Sequence, residues 1–183
     1  MARIPVASPE QMSSETSQQL DELFEDWGER WGVIQTIANS PNLIKTFLPM
    51  HEQMQHSSLS DDDREVIDLY LAMDNGCHYC IPAHIYASRD LGLPDKEIAA
   101  IIERREPTDP RRRLVLKGLK ALVESKGALS DQIYSELLKG GLSVENLLDI
   151  IGEIAHCTIT NYTNRLAQTD IDDFLEKQAP LEK

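Results

Sequence analysis

The chain has 183 residues, enough for one ordinary domain with its own core or for two small ones. Asp and Glu total 31 against 18 Lys and Arg, a net charge of −13, which argues against duplex nucleic acid as a partner because the phosphate backbone would be repelled. No apolar run approaches the ~20 residues of a membrane helix, and the opening Met1 to Ala7 lacks the apolar stretch of a signal peptide, so a soluble, cytoplasmic protein with no membrane partner is expected.

In chain order, the first residues, to about position 12, are polar and proline-bearing, the composition of a mobile terminus or of an arm that docks onto a partner. Leu20, Leu23, Phe24 and Trp27 then recur at helical spacing. Trp27 and Trp31, at i and i+4, read as one helix face over the core or an interface. Ser40-Pro41-Asn42 marks a helix start, while His51 and His56 carry no partner pattern and read as solvent-facing. Ser60, followed by Asp61, Asp62 and Asp63, predicts an N-cap with acidic residues at the positive end of a helix dipole, and the helix should run to about Asn75.

Asn75-Gly76 and Gly92-Leu93-Pro94 are breaks. Arg104, Arg105, Arg111, Arg112 and Arg113 surround the Pro107 to Pro110 loop and read as solvated charges offsetting an acidic chain, with an anionic partner as the alternative. Helical periodicity resumes in Leu114, Leu116, Leu119 and Leu122 and again in Leu147, Leu148, Ile150, Ile151 and Ile154, with Gly127 and Gly140-Gly141 between. Thr158 to Thr163 has strand-like composition but sits inside that helical pattern, so it is expected to stay helical. On the same segment Cys157 reads as a packed cysteine and His156 as a helix-surface histidine. The tail 176–183 is again polar. Strict alternation is nearly absent, and the expected fold is all-α.

Compared with itself at an offset of 49 positions, the chain repeats. Arg64 and Val66 meet Arg113 and Val115, Gly92-Leu93-Pro94 meets Gly141-Leu142-Ser143, and Ile98, Ile101 and Ile102 meet Leu147, Ile150 and Ile151. Each copy would be a helical hairpin plus a following helix, unable to bury its apolar face alone, so the copies should pack together, with other subunits as a further cover. We expect one domain over 1–183, with an active-site repeat at about 60–104 and a second repeat at about 110–167.

The chemistry concentrates in Asn75-Gly76-Cys77-His78-Tyr79-Cys80-Ile81-Pro82-Ala83-His84, with Glu65 upstream. At about 100° per residue, Cys77, Cys80 and His84 share a helix face roughly 60° wide. Pro82 is best tolerated in a first turn, which starts the helix just before it and puts the cysteines where unpaired amides favour a thiolate. An imidazole one turn on could accept the thiol proton. Glu65 lies about 15 Å of helix before the turn and His84 about 12 Å after it, so an antiparallel hairpin brings them level and lets the carboxylate orient the ring. In the second copy the positions matching Cys77, Cys80 and His84 are Lys126, Leu129 and Ile133, so only the first copy is equipped.

Zinc is the competing reading of the same residues: Cys77, Cys80 and His84 supply three ligands, and Glu65, His78 or Cys157 could complete a tetrahedron. Covalent haem is excluded because Ile81 follows Cys80 where that attachment requires histidine. No glycine-rich phosphate loop follows a strand, so neither a nucleotide nor a flavin is indicated, and no cofactor is expected.

Glu followed at twelve positions by Cys-x-x-Cys-x-x-x-His resembles the alkylhydroperoxidase D-like (AhpD-like) proteins of the carboxymuconolactone decarboxylase family. Ile37-Ala38-Asn39-Ser40-Pro41-Asn42-Leu43, Gly92 to Ile98 and Gly141 to Leu147 are similar to the family pattern too, so that the resemblance covers roughly residues 30 to 167. It implies an all-helical homo-oligomer of two repeated hairpin units that reduces hydroperoxides and is recycled by a thiol donor such as a lipoyl carrier or a thioredoxin-like protein. By the same resemblance Cys80 is the peroxidatic thiolate, Cys77 the resolving thiol that faces the reductant, and His84 with Glu65 the proton relay. Some members carry histidine before the second cysteine, whereas Tyr79 stands there in this chain and His78 one position earlier. A thiol–disulfide oxidoreductase, a redox-sensing helical module and a zinc-binding structural domain are the alternative functions.

Overall fold

The computed structural model describes residues 1–176. Among the described residues every regular element is helical and no strand occurs. A 3-10 turn (Pro9–Gln11) precedes α1 (Ser14–Trp27), α2 (Gly32–Ile37), α3 (Pro41–Met54), α4 (Asp61–Asp74), α5 (Cys80–Asp90), α6 (Asp95–Ile102), α7 (Pro110–Ser125), α8 (Asp131–Gly140) and α9 (Val144–Ala167). The capping signals act as expected. The Ser60 hydroxyl accepts from the Asp63 amide at 3.1 Å, and Ser40, Asp109, Ser130 and Ser143 open α3, α7, α8 and α9 in the same way, each cap contributing about 1 kcal/mol. The β-prone Thr158 and Thr160 stay helical, with their hydroxyls donating back to the Ile154 and Cys157 carbonyls.

Helix α4 is the hub. Val66, Ile67, Leu69 and Ala72 are wholly buried, because α5, α6, α7 and α9 all pack around this one helix. One core cluster joins α4 to Ile98, Ile101, Val115, Leu119, Leu137 and Ile150 of the following helices. The other gathers Leu20, Phe24, Ile34, Ile37, Ile44 and Phe47 of α1 to α3 against Ala72, Cys77, Tyr79, Cys80 and Ala83. The two cysteines thus sit where the N-terminal helices close over the α4–α5 hairpin.

Three expectations change. The N-terminal arm is neither loose nor reserved for a partner: the Arg3 and Ile4 amides donate to the Ala167 carbonyl at the end of α9, and the Ala7 amide donates to the Gln35 carbonyl. Trp27 and Trp31 do not share a helix face, because Gly28, with φ +73°, ends α1 directly after Trp27. Two of the five loop arginines, Arg111 and Arg112, form structural ion pairs. Arg111 grips Asp63 through two nitrogens, Nε at 3.0 Å and Nη2 at 2.7 Å, and Arg112 reaches Asp62 at 2.8 Å and Glu97 at 3.5 Å, tying the start of α7 to the start of α4. Of the polar tail, residues 177–183 lie outside the described residues, while Leu175 just before it is fully buried.

Candidate active site

The α4–α5 hairpin turns through Asn75 and Gly76, the latter at φ +60°, a left-handed conformation that suits glycine. The Cys77 amide donates to the Ala72 carbonyl at 2.9 Å, which fixes the first cysteine against the end of α4. Cys80 is the first residue of α5, and the two sulfurs are joined in a disulfide with a Cα–Cα distance of 5.2 Å. The Cys80 amide donates to the Cys77 sulfur at 3.1 Å, so free N–H groups of the helix start point at sulfur as the placement of Pro82 predicts.

One turn further on, His84 Nδ1–H donates to Glu65 Oε2 at 3.1 Å. The hairpin therefore brings together all four residues singled out in the sequence: Cys77, Cys80, His84 and Glu65. Burial by itself would lower the His84 pKa, but the Glu65 carboxylate, helped by Asp68 and Glu153, outweighs it and raises the value from 6.5 to about 9. The resting histidine is an imidazolium locked to a carboxylate.

Below this pair lies a polar layer that sequence reading missed. Asp68 follows Glu65 by one turn, and its Oδ1 accepts from the Cys157 thiol at 2.9 Å. Burial foremost raises the pKa of Asp68 to about 6, and burial with the nearby Asp68 raises Glu153 to about 9. His156 and His51 are not on the surface. Their rings bond to each other, Nδ1 of His51 to Nε2 of His156 at 3.1 Å, and both stack on Phe47. Burial, with positive neighbours, lowers His51 to about 4 and His156 to about 3, so both are neutral near pH 7. The available signal was periodicity: Ile150, Glu153, Cys157, Asn161 and Asn164 lie on one face of α9, so polar residues occupy core positions.

A crevice of about 1140 Å³ opens above these groups. Trp27, Trp31, Val33, Ile34, Phe47 and Tyr86 line its apolar wall, and exposed Glu15, Glu22, Asp26 and Asp90 make its rim acidic. Cys80, His84, Glu65, Asp68, Cys157 and Asn164 reach it, whereas Cys77 is fully buried and does not. The sulfur that opens outward is that of Cys80, contrary to the expectation that Cys77 faces the reductant.

His78 is turned away from the sulfurs, its Nε2–H donating to the Thr169 carbonyl at 2.9 Å. Tyr79 is an anchor: its hydroxyl donates to Asp172 and receives the Val33 amide at 3.5 Å. Burial foremost, with the Asp172 carboxylate, holds this phenol well above its ordinary pKa. For metal binding, two overlapping triads, Asp68–His156–Cys157 and Glu65–Asp68–His84, bring ligand atoms within 4.8 Å of one another. Their donors already engage each other, thiol on Asp68 and imidazolium on Glu65. The zinc set built on Cys77, Cys80 and His84 has both its sulfurs in the disulfide.

Residues 41–122, which include the whole Glu–Cys–Cys–His constellation, match the carboxymuconolactone decarboxylase family. No curated protein sequence matches the chain. Among solved structures, an uncharacterized peroxidase-related protein from Ralstonia eutropha JMP134, described as an alkylhydroperoxidase AhpD core, superposes with a TM-score of 0.86 at 19% identity, covering 100% of this chain and 98% of its own. An uncharacterized peroxidase-related protein from Silicibacter sp. TM1040 gives 0.80 at 22% identity, covering 94% and 91%. The debrominase Bmp8 in its apo form gives 0.76 at 16% identity, covering 96% and 95%. With its site inside the matched segment and its helices in that arrangement, the chain carries a segment similar to the carboxymuconolactone decarboxylase family and has an AhpD-like fold.

Proposed function

We propose that the protein is a thiol-dependent peroxidase acting on organic hydroperoxides. One observation carries the reading: Cys80 alone of the pair opens on the crevice, at a helix start and one turn from the His84–Glu65 ion pair. In the reduced protein the Cys80 thiolate attacks the terminal oxygen of ROOH. The S–O bond forms as the O–O bond breaks, Cys80 becomes a sulfenic acid, and the leaving alkoxide takes a proton from the His84 imidazolium to give ROH. The Cys77 thiol then condenses with the sulfenic acid, closing the disulfide and releasing water. A dithiol donor such as a lipoyl carrier or a thioredoxin-like protein returns two electrons, entering at the Cys80 sulfur on the crevice and leaving as its own disulfide.

The aromatic wall and acidic rim favour a neutral substrate with an apolar body over an anionic one. The soluble, cytoplasmic setting and a homo-oligomeric assembly belong to the same proposal; among the described residues no helix is long and apolar enough to cross a membrane.

The deciding experiment counts thiols by intact mass after alkylation under denaturing conditions, before and after one equivalent of cumene hydroperoxide. Three alkylated thiols should become one within seconds, with the loss mapping to Cys77 and Cys80. Persistence of all three removes the peroxidase reading. The debrominase of similar fold motivates a parallel arm with a brominated heteroarene, and closure of the pair in that arm alone would move the assignment to reductive dehalogenation.

A further inference from the structure

Asn164 sits on the core face of α9 and is 1% exposed. Its Nδ2–H donates to the Cys80 sulfur at 3.3 Å, and its Oδ1 has no hydrogen-bond partner among the described residues. Native interiors leave few buried oxygens in that condition. The neighbouring Asn161 is a useful contrast, since its Oδ1 accepts from Asn75 and its Nδ2 donates to Thr160. Asn161 is thus engaged at both ends within the fold, whereas Asn164 holds the sulfur with one end and leaves the other beside the crevice that Cys80 faces.

We infer that Asn164 is a further catalytic residue, whose amide N–H stabilises the Cys80 thiolate and whose Oδ1 accepts the hydrogen bond of the hydroperoxide O–H. The inference rests on the peroxidase reading for its second half only. A donor aimed at sulfur favours the charged form over the thiol. In the attack the hydrogen stays on the oxygen it came with: HO–OR becomes the S–OH of the sulfenic acid as the O–O bond breaks, and the proton for RO⁻ comes from His84. An acceptor placed on that O–H is therefore satisfied in substrate and product alike, and it orients the terminal oxygen towards sulfur. The other ionisable groups around this part of the crevice are His84 on α5, Tyr79 just before it, Arg64, Glu65 and Asp68 on α4 and His156 and Cys157 on α9, and all are retained in the variants below.

The test compares reduced wild type with Asn164→Asp, which keeps the shape, and with Asn164→Ala. The rate of Cys80 alkylation by iodoacetamide, mapped by mass, is followed against pH. The inflection should rise by about one unit in each variant, with alkylation about tenfold slower below it. Should the alanine variant fail to fold by circular dichroism, the isosteric aspartate decides. An inflection unmoved in a folded variant overturns the thiolate role.

The rate with cumene hydroperoxide is then measured above all the inflections, where every Cys80 is ionised. A tenfold or greater loss in Asn164→Ala is expected, and an equal rate overturns the substrate contact. Alkylation needs no peroxide, so a wild-type protein inert to hydroperoxide refutes the peroxidase reading and with it the substrate contact, while the sulfur contact is judged by the inflection alone.

Discussion

The ion pair between His84 and Glu65 sets the pH behaviour expected of the site. With its folded pKa near 9 against an ordinary 6.5, His84 contributes stability that is complete below about 6.5 and is lost as pH rises through about 9. The same proton serves the leaving alkoxide, so the peroxide rate should fall as pH rises through about 9, and in Glu65→Gln that fall should move to lower pH, since burial is then opposed by fewer carboxylates. A stopped-flow pH profile checks both. Cys80→Ser should abolish the reaction and Cys77→Ser should permit a single turnover, read by quenched mass analysis of the first equivalent. Glu153 works in the opposite sense to an ordinary ion-paired carboxylate. Its folded pKa is raised from 4.5 to about 9, so between those values the unfolded chain gives up a proton that the native state retains, and stability declines with rising pH. Glu153→Gln should raise the melting temperature at pH 8 by roughly 2–4 °C and much less at pH 5, measured by calorimetry.

At the level of elements, α4 and α7 are joined at their helix starts. Asp63 is 3% exposed and takes two nitrogens of Arg111, while the first-turn amide of the same residue is capped by Ser60. Asp63→Asn should cost about 1–3 kcal/mol in urea denaturation with an unchanged m value. That is less than for a fully buried pair, because the Arg111 side chain is partly in water. Ser60→Ala should cost about 1 kcal/mol in the same assay. Neither Ser60 nor Asp63 lines the crevice, so the alkylation rate of Cys80 should survive both changes. The hairpin was legible because its parts are local. Two helices, a tight turn and twenty residues suffice to bring Glu65, Cys80 and His84 together, whatever the rest of the chain does. The arginine clamp was not legible, because Arg111 and Asp63 are 48 positions apart and nothing in either local pattern names the other.

For the molecule as a whole, the outer face of α9 stands out. Val144, Leu148, Ile151, Ala155, Tyr162 and Leu166 are exposed along one side of a 24-residue helix, an apolar strip of the kind that marks an interaction surface. A second copy of the chain is the expected cover. Wild type should sediment as an assembly in analytical ultracentrifugation, and the pair Leu148→Glu with Leu166→Glu should reduce it to a smaller species without unfolding.

The sequence by itself determined the helices, their serine and aspartate caps and the constellation around the Cys-x-x-Cys pair, because all of these follow from periods and turns a few residues long. It also carried the family resemblance, since that motif is contiguous. Tertiary structure decided which sulfur reaches the crevice and what meets it: Cys80 lines it while Cys77 is fully buried, and α9 brings Asn164 to Cys80 across 84 positions and Cys157 to Asp68 across 89. It also turned His51 and His156 inward, since a histidine's exposure depends on the helix laid against it and not on its own spacing. Periodicity shows that a polar residue lies on a core face; only packing shows which atom it finds there.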